Sequence, residues 1–410
     1  MNKDALETLQ RKTIRTLTAG QILSGFGLGS TLSIGALLAA DLSGSESWSG
    51  AAATFSTLGA AIWAIPLSRL AYARGRRVAL AIGATLAISG ALLVITSAAL
   101  RVFPLLIVAL FFLGAGSATG LQARFAANDL PSSKSAGRDL SLVVWATTIG
   151  AVIGPNMFGP GEIIGKALHM PPLTGPFLLT IAAQLAASSV FYFGLKPDPL
   201  KIAQSLDQAR GPRGRVSLKS AFATLAAYPV AAYAMVSIAM SHMVMVSVMA
   251  MTPVHMKHDG ATLVLVGFTI SFHIAGMYAF SPIFGWLADK LGRIQVVIIG
   301  QLIYVAALIL AGTAGMNHTQ ITAGLFLLGL GWSAATVAGS ALLSTSLPSD
   351  QKTNVQGVSD SAMQLSGAFG GAVSGSILAA FAFGGLNASA AIPVSIVLAL
   401  SGFALLRRNR

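Results

Sequence analysis

The chain has no cysteine among its 410 residues, which excludes a disulfide framework, a thiolate metal site and a thiol nucleophile. Charge is almost as scarce. Asp, Glu, Lys and Arg make up 10% of the residues, against roughly 25% in soluble globular chains. Acids are the rarer kind, 13 against 26 Lys and Arg, for a net charge of +13. Two catalytic signatures are also missing. There is no Gly-x-x-x-x-Gly-Lys-Ser/Thr loop to cradle phosphates and no His-Glu-x-x-His helix to hold zinc. The sequence is therefore read as a non-enzyme without a prosthetic group.

What is abundant is apolar length. Hydrophobic residues reach 54% and the mean hydropathy is +0.75, spread along the whole chain. A bilayer crossing needs about 20 mostly apolar residues. Barrel strands would alternate apolar and polar residues, but Val78–Leu100 and Phe103–Thr119 are apolar on nearly every face. The reading is an all-α membrane protein with twelve spans, at about 17–41, 49–71, 78–100, 103–126, 140–162, 173–195, 229–252, 262–286, 294–315, 319–345, 355–383 and 387–406. The polar Met1–Leu17 segment reads as a cytoplasmic lead-in, not a cleaved signal. With the N-terminus inside, every Lys and Arg except Arg101, Lys166 and Lys257 falls on the cytoplasmic side. That bias predicts both termini in the cytoplasm. It also assigns the basic charge to topology and to the lipid bilayer, not to nucleic acid.

The longest hydrophilic stretch, 196–219, carries Pro197, Pro199, Gly211, Pro212 and Gly214 among its charges and reads as a linker. It separates a six-helix bundle at 1–195 from a second at 220–410. A motif recurs on either side: Gly285-Trp-Leu-Ala-Asp289-Lys290-Leu-Gly292-Arg293 after span eight, and Ser68-Arg-Leu-Ala-Tyr72-Ala-Arg74-Gly75-Arg76 after span two. The second copy resembles the loop signature of the major facilitator superfamily. The first departs from it at Ser68 and Tyr72, which puts an N-terminal charge latch in doubt. The resemblance implies two pseudo-symmetric bundles and alternating access to a central site, driven by gradients.

Methionine and histidine are unevenly placed. Between Met235 and Met277 lie eight of the thirteen methionines and four of the six histidines. Met245 and Met249 are four residues apart, as are His273 and Met277, so each pair shares a helix face. His242 extends the first stripe, and His255, Met256 and His258 add donors at the outer mouth. Thioether and imidazole suit copper, and uncharged ligands avoid the cost of buried carboxylates in a bilayer. Packing explains such methionines equally well. Met-x-x-x-Met in span seven followed by His-x-x-x-Met in span eight resembles the paired signature of the CcoA-like bacterial copper importers. That resemblance carries over to Met245, Met249, His273 and Met277. It implies copper uptake through the bacterial cytoplasmic membrane for cytochrome oxidase assembly, with periplasmic or cytoplasmic copper chaperones as possible partners.

Other features keep other readings open. Gly150-x-x-x-Gly154-Pro155 in span five resembles a signature of drug–proton antiporters, though small residues and a proline also serve close helix packing. A proton-coupled exporter, a riboflavin-type vitamin importer and a non-transporting copper sensor are the alternatives. Charges inside spans are functional candidates by default. Arg124 and Asp129 are expected to pair with each other or with Arg138 and Asp139. Asp360, within two turns of the inner surface, is expected to cap or pair at a cytoplasmic gate or else to couple proton movement, and the loop residues Asp289 and Arg293 join it as gating or coupling candidates. Asp41 and Glu46 at the outer end of span one read as loop solvation or a cation lure.

Overall fold

The computed structural model describes residues 3–44, 48, 51–130, 136–156, 158–207 and 218–408, apart from the side chains of 3, 26–33, 36–37, 40, 51–53, 151–159, 257, 263–264 and 407–408. Glu46 and the side chains of Gly154-Pro155 thus lie outside the described residues. The helices are α1 (Lys3–Ser43), α2 (Ala51–Arg74), α3 (Arg76–Leu100), α4 (Phe103–Ala126), α5 (Ala136–Asn156), α6 (Phe158–Ala167), α7 (Gly175–Ser189, continued by a π-helical turn at Val190–Gly194), α8 (Pro199–Asp207), α9 (Leu218–Ala227), α10 (Pro229–His258), α11 (Leu263–Tyr278), α12 (Ser281–Leu291), α13 (Arg293–Gly312), α14 (His318–Thr345) and α15 (Ser349–Arg408). No strand occurs among the described residues.

These helices carry the twelve expected spans. The fifth is α5 with α6, the sixth α7 with its π turn, and the eighth α11 with α12. Pro282 opens α12, where its missing N–H breaks no bond. Spans eleven and twelve are both in α15, which turns at Ala382, where φ is 56° and ψ is −173°. The polar lead-in is helical from Lys3. One expectation is corrected. The outer segment Met256-Lys257-His258 is the last turn of α10, not a loop. Pro253 does not end that helix. Gly260 does, with φ at +79°, and the Ala261 N–H closes back on the Met256 carbonyl at 2.9 Å in a Schellman-type cap.

The motif glycines have a backbone reason. Gly75 and Gly292 both adopt positive φ, 94° and 109°, each at the residue before a helix starts. Only glycine takes that region without strain, so one tight turn is built twice.

Two compact units emerge. The first holds Met1–Pro131, Ala146–Ala221 and Ser349–Ser361; the second holds Ser132–Trp145, Phe222–Pro348 and Ala362–Arg410. The start of span five and the start of span eleven therefore each group with helices from beyond the 196–219 linker. Inside the second unit, α14 is the central element: α10, α11 and α13 pack along it, while α10 and α11 meet over only a short stretch.

Candidate functional site: buried charge pairs and an aromatic cluster

In the first unit the ionic residues gather where α3, α4 and the start of α15 come together. Arg76 is fully buried. Its Nε donates to Asp129 at 2.8 Å and one terminal nitrogen to the other carboxylate oxygen at 3.2 Å, a bidentate, charge-assisted pair. The same nitrogen donates to Gln356 at 2.7 Å, and the Lys352 ammonium donates to the Asn128 carbonyl. Arg124 donates to Asp360 at 2.6 Å, with side chains 3% and 0% exposed. The expected pairing of Arg124 with Asp129 is thus replaced by these two pairs. Asp129 lies beyond the end of α4 at Ala126, so it has left the helix that carries Arg124 and meets Arg76 at the start of α3.

The second unit solves the same loop differently. Asp289 accepts the N–H groups of Gly137 and Arg138, each at 2.9 Å. Its carboxylate therefore sits on the positive end of α5. Arg293 lies 3.8 Å from Asp289 and donates to Thr345 at 2.8 Å. In the first unit, at the opposite end of α3 from Arg76, Asp41 pairs with Arg101 at 3.5 Å, both well exposed, a contact of small energetic weight.

Between these ends the buried polar groups are uncharged. In the first unit Gln21 donates to Thr147 at 3.0 Å, and Gln184 joins Ser24 through its amide. In the second, Trp332 Nε1 donates to His242 Nδ1 at 3.0 Å, which places the histidine's own proton on Nε2. Tyr278 stands edge-on to Trp332 at 5.5 Å between centroids, a favoured aromatic geometry. Thr336 and Ser340 follow Trp332 at four-residue steps and so share its face of α14. Their hydroxyls and that of Ser333 are buried without a hydrogen-bond partner among the described residues. Trp332 and Tyr278 carry no signal in the sequence beyond being aromatic inside apolar runs, whereas Arg76 is marked by its place in the repeated loop motif.

The methionine and histidine candidates separate. Met245, Met277 and Met256 belong to one buried cluster, with Met249 packed against it. His273 is fully buried. Its Nδ1 donates to the Leu325 carbonyl at 2.8 Å, and Nε2 has no hydrogen-bond partner among the described residues. The Nδ1 of His242 is engaged by the Trp332 indole N–H. Met256 is in the core and not at a mouth. His255 stacks on Phe383 at 4.3 Å and pairs with Asp259 at 3.3 Å. His258 is exposed.

The sequence profile of the Major Facilitator Superfamily matches residues 17–277 and 234–410. The uncharacterized MFS-type transporter YdeG of Bacillus subtilis (strain 168) is 36% identical over 400 residues, covering 95% of this chain and 92% of that one. The riboflavin transporter RfnT of Brucella anthropi is 25% identical over 356 residues, 86% of this chain and 85% of its own. The crystal structure of the human organic anion transporter MFSD10 (TETRAN) superposes with a TM-score of 0.74 at 14% identity, over 96% of this chain and 99% of that one, a likeness of fold. The repeated loop, the twelve spans and these matches converge: the chain belongs to the Major Facilitator Superfamily and is a multi-pass membrane transporter, not an enzyme.

Proposed function

We propose that the transporter carries a small, uncharged, planar heterocycle of the riboflavin kind across a bacterial cytoplasmic membrane, with both termini inside. The observation that carries this reading is the face of α14 on which Trp332 is edge-on to Tyr278 and held by His242, beside the hydroxyls of Ser333, Thr336 and Ser340. Solute sites are mostly apolar with a few placed polar groups. An aromatic wall suits a flat ring, while unpartnered hydroxyls suit its carbonyls and ring nitrogens. An anionic solute fits less well, because the Arg76 and Arg124 side chains are already committed to Asp129 and Asp360. The name of the Brucella relative points to the same chemistry.

Riboflavin counterflow in proteoliposomes tests this without assuming a coupling ion or a direction. The unmodified chain is expected to show transient accumulation of labelled riboflavin. Trp332→Ala is expected to reduce it by about fivefold to a hundredfold, because a lost stacking contact of about 1–3 kcal/mol corresponds to that range. Trp332→Phe should fall in between. No counterflow with riboflavin or with any of a panel of neutral flat heterocycles would overturn the reading.

A second reading, copper uptake, is favoured by one specific feature. A histidine that donates Nδ1–H to a backbone carbonyl keeps Nε2 as a lone pair, which is how metal-ligating histidines are usually held. His273 has that arrangement, with Met277 one turn on. The Met245 and Met249 half of the ligand set is on α10, which touches α11 little. Elemental analysis of purified protein incubated with Cu(I) is expected to give bound copper that His273→Ala removes. Unchanged copper content in that variant would remove the site.

A further inference from the structure

The sixth span ends in a way the transport readings do not use. The π-helical turn Val190–Gly194 is wider than an α-turn, with hydrogen bonds to the fifth residue and not the fourth. Within it Phe191 is fully buried, while Tyr192 and Phe193 are 40% and 65% exposed. The two exposed rings meet edge-to-face at 5.2 Å and 89°. Two cations flank them. The Arg77 guanidinium lies 4.4 Å over the Tyr192 ring, and the Lys196 ammonium is 5.9 Å from Tyr192 and 5.7 Å from Phe193. A third, Lys12, donates to the Lys196 carbonyl at 2.6 Å.

The nearby acid forms no ion pair with them among the described residues. Asp198 spends its oxygens on backbone N–H groups, those of Arg77 at 2.8 Å, Leu200 at 3.0 Å and Lys201 at 3.1 Å. Among the described residues neither the Arg77 nor the Lys196 side chain has an ion pair. The patch therefore combines cationic side chains held in no ion pair among the described residues with exposed aromatic rings at the end of an apolar span. Rings in that place sit at headgroup level, and cations there attract anionic lipid.

We propose that Arg77, Tyr192, Phe193 and Lys196, with Lys12 beside them, bind the headgroup of an anionic phospholipid. The cations take the phosphodiester oxygens and the rings rest against the glycerol and upper acyl chain. Charge complementarity selects this occupant over a zwitterionic lipid, whose own ammonium would meet Arg77 and Lys196.

The test is native mass spectrometry of the full chain in uncharged detergent, titrated with phosphatidylglycerol or phosphatidylcholine. The tightest-bound phosphatidylglycerol is expected to exceed phosphatidylcholine in affinity by at least about tenfold. Each cation removed, Arg77→Gln or Lys196→Gln, should weaken it about fivefold, while Lys219→Gln at another exposed position should leave it unchanged. Equal affinity for both lipids overturns the proposal, as does unweakened binding in the Lys196→Gln variant. That variant alters one exposed side chain, so folding does not confound it. Displacement of the lipid by millimolar inorganic phosphate would also overturn it, since the site would then serve a free anion.

Discussion

Arg124→Ala is expected to destabilise the transporter by about 3–5 kcal/mol, because it strands the Asp360 carboxylate in the interior without its cation. Both side chains are almost completely buried and the hydrogen bond between them is 2.6 Å. The Asp360 carboxylate has its second oxygen unpartnered among the described residues, so no hydrogen bond there compensates for the loss of Arg124. The converse change, Asp360→Ala, should cost somewhat less. The guanidinium would still lie over the Phe125 ring at 4.9 Å, a contact of about 0.5–2 kcal/mol. The paired replacement Arg124→Met with Asp360→Leu is expected to regain most of the loss, since buried ion pairs are often matched by apolar residues of similar volume. Thermal unfolding of the four proteins in detergent ranks them. Equal melting temperatures for the Arg124→Ala variant and the unmodified chain would show that the pair contributes nothing.

That pair also marks where sequence reading stopped. The spans, the linker and the repeated loop follow from composition and from residues close together in the chain. Arg124 and Asp360 are 236 positions apart, and no local pattern distinguishes that partner from Asp129, five residues away. The motif comparison shows a subtler limit. Ser68 stands where the second copy has Gly285, and this looks like a lost glycine. In the fold, a Cβ on Gly285 would come within 2.3 Å of the Ser141 hydroxyl, and one on Gly357 within 2.0 Å of the Ser68 hydroxyl. The same glycine–serine contact is made in each unit with the roles exchanged between helices. Tyr72 is a different case, because no side chain at that position reproduces the Asp289 cap on a helix start. The π turn at Val190–Gly194 was not legible either. Its residues, Val-Phe-Tyr-Phe-Gly, suit an α-helix in lipid equally well, and only packing of Phe191 inward turns Tyr192 and Phe193 out.

The second large effect is expected at Gly329, where α14 meets α11 backbone to backbone. A Cβ there would stand 2.3 Å from the His273 carbonyl oxygen and 2.9 Å from the Met277 nitrogen, and one on Gly276 would stand 2.5 Å from the Phe326 carbonyl oxygen. Helices in lipid gain little from apolar burial against one another, so small residues that permit close approach carry the association. No rotamer relieves a clash with main-chain atoms. Gly329→Ala should therefore cost about 1–3 kcal/mol, and Gly329→Val more, as overpacked cores do. The consequence reaches the candidate ligands. Leu325 lies one turn before Gly329 on the same face, so pushing α11 off α14 lengthens the 2.8 Å bond that holds the His273 ring. Gly329→Ala should thus lower the melting temperature and, if His273 ligates copper, weaken that binding without touching a ligand atom. An unchanged melting temperature would mean that the two backbones can part at no cost, and the close contact would then explain neither the helix pairing nor the ring's orientation.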